Sequence, residues 1–171
     1  MIDDRDWYTM DGDLVDLKTA LIEATEEPGK IVVIGTDSQR YEKREDFVTV
    51  IVVRTPFKGG RVFYTRERDP KKYKLRDKLI KEAWLSIQTA WAISPILPDH
   101  CTLAALHADV NTDVKKGLSA KYMNEICGMI TGCGFQVVTK PDGFAAQHVA
   151  EHLVKNRNDK YLESKRSGTK K

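Results

Sequence analysis

The chain has 171 residues, enough for one domain with a sizeable core, and is 41% hydrophobic and 31% charged. No apolar run approaches the ~20 residues a bilayer-crossing helix needs, and the acidic start Met1-Ile2-Asp3-Asp4-Arg5-Asp6 lacks a signal-peptide core, so a cytoplasmic protein without membrane contact is expected. The net charge of +3 conceals an acidic first segment, with six Asp against Arg5 in residues 1–16, and a basic Ser/Gly-containing end from residue 155 that suits a polyanion or a solvated terminus equally.

In chain order, Leu14, Leu17, Leu21 and Ala24 lie at helical spacing, which predicts a short amphipathic helix over 13–25 ended by Pro28-Gly29. Residues 31–36 read as a fully buried strand leaving through Gly35-Thr36-Asp37-Ser38. The polar residues 39–46 read as a loop. Phe47–Val53 is rich in β-branched residues and reads as a second strand. A turn over Pro56–Gly60 returns the chain as a third, 61–65. Asp69-Pro70 suggests an N-cap and first helical residue, opening a helix that Pro95 stops. On it Leu75, Leu79, Glu82 and Ser86 share one stripe. A fourth strand is predicted over 102–108, a helix over 115–131 with Tyr122, Ile126, Met129 and Ile130 apolar, and a fifth strand over 135–139. Asp142 opens a last helix that fades near Asn156. Two hairpin-linked strands followed by strand–helix alternation imply an α/β fold, a mixed five-stranded sheet flanked by helices. The predicted division is an acidic segment with a short helix (1–29), a core domain (30–156) and a flexible basic tail (157–171).

Four acids stand out. Asp37 follows an apolar strand, Glu82 lies in a helix, Asp109 ends another strand and Asp142 opens a helix. A carboxylate at a strand end must be solvated, paired or metal-bound, because burying it bare is costly. The series suggests a cage for divalent cations. Each acid also has an ordinary reading: Asp37 as a turn former, Glu82 as a salt-bridge partner of Lys78 or Lys81, Asp142 as a helix cap. The three cysteines, Cys101, Cys127 and Cys133, read as small reduced buried residues. Trp84 and Trp91 read as core or interface packing in preference to a base-stacking platform.

The blocks Gly35-Thr36-Asp37-Ser38-Gln39, His107-Ala108-Asp109-Val110-Asn111 and Lys140-Pro141-Asp142-Gly143-Phe144-Ala145-Ala146 resemble the signatures of the bacterial ribonuclease-H-like family called YkuK-type. Lys58-Gly59-Gly60-Arg61 and the helix from Tyr73 add to a likeness that covers about residues 30–150. The resemblance implies a ribonuclease-H-like fold and a metal-dependent nuclease. Asp37, Glu82, Asp109 and Asp142 would be both catalytic residues and ligands of two Mg²⁺ or Mn²⁺ ions, with Asp37 bridging, Glu82 and Asp109 on one ion and Asp142 on the other. Asp77, on the same helix, is a weaker candidate than Glu82 because it lies off the apolar stripe. The implied partner is nucleic acid: RNA, DNA or a hybrid. Arg40, Lys115, Lys116, Lys121 and Lys140 are candidate phosphate contacts. The loop His that many such enzymes carry before the last acid is missing between His107 and Asp142. His107 and His148 are the nearest substitutes, although both also read as structural. A non-catalytic nucleic-acid or protein binding module is the alternative. A remote one is a zinc hydrolase built on His148, Glu151 and His152 in an H-x-x-E-H pattern.

Overall fold

The computed structural model describes residues 4–113, 115 and 117–140. In chain order the elements are β1 (Trp7–Thr9), β2 (Leu14–Val15), α1 (Leu17–Ala24), β3 (Ile31–Tyr41), β4 (Arg44–Thr55), β5 (Gly59–Asp69), α2 (Leu75–Ile93), β6 (Thr102–Asn111), a 3₁₀ turn (Leu118–Tyr122), α3 (Met123–Gly132) and β7 (Val137–Lys140). The strands form one sheet in the order β2-β1-β5-β4-β3-β6-β7. Strand β4 runs antiparallel to β3 and to β5, β6 is parallel to β3, and β7 is parallel to β6. The α/β class and mixed sheet match expectation, but the sheet has seven described strands instead of five.

The two extra strands come from the acidic first segment. Trp7, 1% exposed, anchors β1 in the core, and Tyr8 pairs with Tyr64 of β5. Leu14 and Val15, expected in a helix, form β2 instead. The helix begins only at Leu17 because the Asp16 side chain caps it, accepting the Thr19 N–H at 2.9 Å.

Residues 39–46 are not a loop. The β3–β4 ladder continues through Gln39–Asp46, Arg40–Glu45 and Tyr41–Arg44, leaving only Glu42-Lys43 to turn. Cross-strand charge pairs sustain this end of the hairpin where apolar alternation stops. Likewise β5 runs on to Asp69, and α2 starts at Leu75. Asp69 is not the helix cap: its carboxylate accepts from the Lys71 N–H at 2.9 Å, the Tyr73 hydroxyl and Lys81 at 2.6 Å each. The third predicted helix splits into the 3₁₀ turn and α3.

Both faces of the sheet are buried, which is why β3 and β4 read as nearly unbroken β-branched runs. On one face Val32, Ile34, Ile51, Val53 and Leu106 pack with Leu21 of α1, Leu79 and Ile87 of α2, and Ile126 and Ile130 of α3. On the other, Val33, Val48, Val50, Val52, Tyr8 and Tyr64 form a second cluster. Each fully buried aliphatic side chain contributes roughly 1.5–3 kcal/mol. Trp84 and Trp91 are outside this core, 40% and 47% exposed, edge to face with each other at 5.6 Å. Cys101, Cys127 and Cys133 are free and half-buried, and burial raises the thiol pKa of Cys101 and Cys127. No described helix is long and apolar enough to cross a membrane.

Candidate active site

The neighbouring parallel strands β3 and β6 place the first and third acids. Thr36 and Ser38 face α2. The Thr36 hydroxyl bonds Thr49 at 2.9 Å and Ser86 at 2.8 Å, and the Ser38 hydroxyl donates to the Glu82 Oε1 at 2.5 Å. Because side chains alternate along a strand, Asp37 between them projects from the opposite face of the sheet. On β6, Leu106, Ala108 and Val110 belong to the helix-side core, so His107 and Asp109 share the face of Asp37. Gly35 pairs with His107, and Asp37 and Asp109 each lie two residues farther on. From there β3 turns back into β4 on one side, whereas β6 leads to β7 on the other. Divergence of neighbouring chains at the carboxyl ends of parallel strands opens a crevice, the usual place for ligands in such sheets.

Glu82 closes that crevice from the helix side. It is 4% exposed, whereas Asp77 on the same helix is exposed. Its carboxyl pKa is pushed well above the ordinary value, first by burial and then by the charge of Asp37, with Asp109 adding a smaller push. The Ser38 hydroxyl and Lys78 work against this shift. Glu82 on α2 is thus close enough to Asp37 on β3 and Asp109 on β6 to feel both charges. Thr36, Glu82, His107 and Asp109 line a crevice of about 10 Å³, roughly the space of one water. Among the described residues the His107 Nδ1 is buried without a hydrogen-bond partner. Burial, then the charge of Arg54, lowers the His107 pKa and so favours the neutral ring.

The donors are all hard oxygens, the type Mg²⁺ and Mn²⁺ prefer. Mutual repulsion on a buried carboxylate is what a divalent ion would relieve, so the residues suit such an ion in kind. The side chains as they stand do not form the cage. Among the described residues no three His, Cys, Asp or Glu side chains are grouped to hold one ion. Asp109 is ion-paired with Lys140 at the end of β7, and Glu82 is held by Ser38. Asp142, the fourth candidate, lies outside the described residues, as do Lys116, His148, Glu151 and His152.

Of the candidate phosphate contacts, Lys140 is ion-paired with one of the acids, Asp109. Arg40 is turned to structural use: its Nε meets Glu45 Oε2 at 3.2 Å and its guanidinium donates to the Tyr73 carbonyl. Lys121 is exposed with its ammonium 4.9 Å from the Tyr122 ring centre, and Lys115 is exposed near Asp113. Sequence reasoning missed Ser38 as the partner of Glu82 and the hydroxyl chain Thr49–Thr36–Ser86. The signal was present in polar Thr36 and Ser38 at alternate positions of an otherwise apolar strand. It also missed the arginines around Asp46, buried at 1%, because they arrive from two strands.

Comparison with known proteins agrees with this architecture. The family described as Ribonuclease H-like matches residues 15–155. The chain is 28% identical over 154 residues to the "Uncharacterized protein YkuK" of Bacillus subtilis (strain 168), covering 84% of this chain and 90% of that protein. No solved structure matches. With three antiparallel strands followed by two parallel ones, the acids at the carboxyl ends of the middle pair, and a family match over most of its length, the chain belongs to the ribonuclease H-like family, in its YkuK-type branch.

Proposed function

We propose that the protein is a divalent-metal-dependent nuclease that hydrolyses phosphodiester bonds at the crevice between β3, β6 and α2. The observation that carries this reading is Glu82: a carboxyl 4% exposed that lies within the electrostatic reach of Asp37 and Asp109. A buried acid surrounded by acids is costly unless a cation joins them. Two Mg²⁺ or Mn²⁺ ions, when bound, would activate the attacking water and stabilise the leaving oxygen. Asp37, Glu82 and Asp109, with Asp142 from the segment beyond β7, would hold them. Ser38 orients Glu82 by its hydroxyl, and α2 shields the carboxyl from water. Lys140 pairs with Asp109 and would move to a substrate phosphate when that carboxylate turns to metal. His107, which lines the crevice, would accept a proton at its unpartnered Nδ1.

The test is cleavage of labelled RNA, DNA and hybrid substrates as Mn²⁺ is titrated. Asp37→Asn and Asp109→Asn should each abolish cutting while leaving the thermal transition near that of the parent. Parental rates in either variant would remove that residue from the site. The Lys140–Asp109 ion pair favours a second reading, a non-catalytic module that grips nucleic acid without metal. Metal-independent binding with no cleavage of any substrate would establish it.

A further inference from the structure

The connection between β5 and α2 carries charge that the fold does not use. Residues 71–78 hold five cations, Lys71, Lys72, Lys74, Arg76 and Lys78, against the single acid Asp77. Arg76 is taken by Asp77 at 3.8 Å and by Glu125 of α3, which leaves the four lysines. Lys72 and Lys74 are exposed and have no partner among the described residues. Lys71, also exposed, has its ammonium 5.1 Å from the Tyr73 ring centre. The acids nearby are answered by other groups. Glu67 and Asp69 share Lys81, Glu45 is met by Arg40, and Glu42 sits beside Lys43 in the adjoining turn. Setting one lysine charge against the second acid that Lys81 meets still leaves a clear positive surplus.

The backbone under these lysines is pinned at the end of the molecule that holds the crevice. Asp69 accepts from the Lys71 N–H at 2.9 Å and from the Tyr73 hydroxyl at 2.6 Å. The Tyr73 carbonyl accepts from Arg40, which follows Ser38 on the same face of β3. The Tyr73 ring meets Phe47 edge to face at 5.4 Å, and Phe47 pairs with Ser38 in the ladder. Ser38 in turn holds Glu82. Lys78 stands about one helical turn before Glu82, and its charge acts on that carboxyl. Lys74 precedes Glu82 by about 12 Å along the helix axis. A basic rim thus borders an acidic crevice, an arrangement that fits a chain of phosphates.

The aromatic rings decide between strand forms. Proteins that grip single strands stack the bases on open rings beside their cations. At this end Tyr73 is engaged by Phe47, Lys71 and Lys81, and Tyr41 by Arg44, 4.9 Å from its ring centre. The large exposed rings among the described residues lie elsewhere: Phe57 in the β4–β5 turn, Trp84 and Trp91 farther along α2. A surface of lysines without an open ring suits a duplex, whose bases are stacked inside and whose backbone faces outward.

We propose that Lys71, Lys72, Lys74 and Lys78 form a surface that takes the phosphate backbone of a double-helical nucleic acid beside the crevice. The choice of nucleic acid as the polyanion rests on the nuclease reading; the surplus of charge does not. Binding to the full chain is measured by fluorescence anisotropy in a metal chelator across a salt series, with a short labelled DNA duplex, an RNA–DNA hybrid of the same sequence and the labelled single strand as probes. Both duplexes are expected to bind more tightly than the single strand. Lys72→Gln combined with Lys74→Gln should weaken duplex binding about tenfold or more at low salt, and should reduce the slope of log K against log salt by about one per lysine. Lys18→Gln combined with Lys58→Gln removes the same charge at exposed positions elsewhere and should leave affinity and slope nearly unchanged. Thermal melts establish that both double variants keep the fold. No duplex binding, an equal loss from the control pair, an unchanged slope, or a single strand bound as tightly as the duplexes overturns the proposal. The chelator removes metal-dependent cleavage, so failure of this surface and failure of the acids are read in separate assays.

Discussion

Replacing Ser38 by Ala removes the hydroxyl that donates to Glu82, and the consequence depends on pH in a defined direction. The bond is short, 2.5 Å, and its acceptor is buried at 4% exposure. A hydrogen bond to such an acceptor is worth about 1–3 kcal/mol. For a chain of this size that lowers the Tm by roughly 2–12 °C. In the unfolded chain Glu82 loses its proton near 4.5; in the folded protein burial and Asp37 hold the proton to much higher pH. The native state therefore carries the extra proton above about pH 4.5, and stability falls as pH rises from there until the folded pKa is passed. Glu82→Gln should erase this decline and stabilise the protein at neutral pH in chelator. Ser38 favours the ionised form, so Ser38→Ala should push the Glu82 pKa higher and cost most at alkaline pH, least near pH 4. Thermal melts of the parent, both single variants and the double variant across pH 4–9 test this. An equal loss from Ser38→Ala at both ends of the range refutes the reasoning. So does a Glu82→Gln profile with the parental slope, or a coupling below about 0.5 kcal/mol in the double-mutant cycle.

Two further predictions concern the frame around the site. Asp46→Ala leaves three arginines facing one another over a buried position and should destabilise by about 3–5 kcal/mol in urea melts, whereas the exposed Asp77→Ala should cost far less. Gly60→Ala would place a Cβ 2.5 Å from the Val53 carbonyl oxygen, so the β4–β5 hairpin must shift; a loss of roughly 1–3 kcal/mol is expected, and a Tm equal to that of the parent counts against the described register.

The central architecture was readable because its signals are apolar. Ile31–Ile34 and Phe47–Val53 announce strands buried on two faces, and the stripe through Leu79, Glu82 and Ser86 shows which side of α2 meets the sheet. What escaped reading is held by charge. The outer halves of the β3–β4–β5 meander consist of Arg, Glu and Asp that look like loop until their cross-strand partners are known. The Asp69-Pro70 pair looked like a helix start because the chain alone does not reveal that Lys81, Tyr73 and Lys71 take the carboxylate. Strand β1 pairs with β5 some 55 residues later in the chain, and nothing local to Trp7–Thr9 encodes that partner. At the site, spacing could suggest Asp37, Glu82 and Asp109 as neighbours. It could not show that Asp37 and Glu82 approach from opposite sides of the sheet, since that depends on register.

The described sheet is flanked by β2, two residues long, and β7, four residues long, while its longest ladders lie inside. Such stubby margins give an incoming foreign chain few main-chain groups to grasp, which leaves the stretch of β5 beyond Tyr64, where no described strand flanks it, as the place for an added strand to pair.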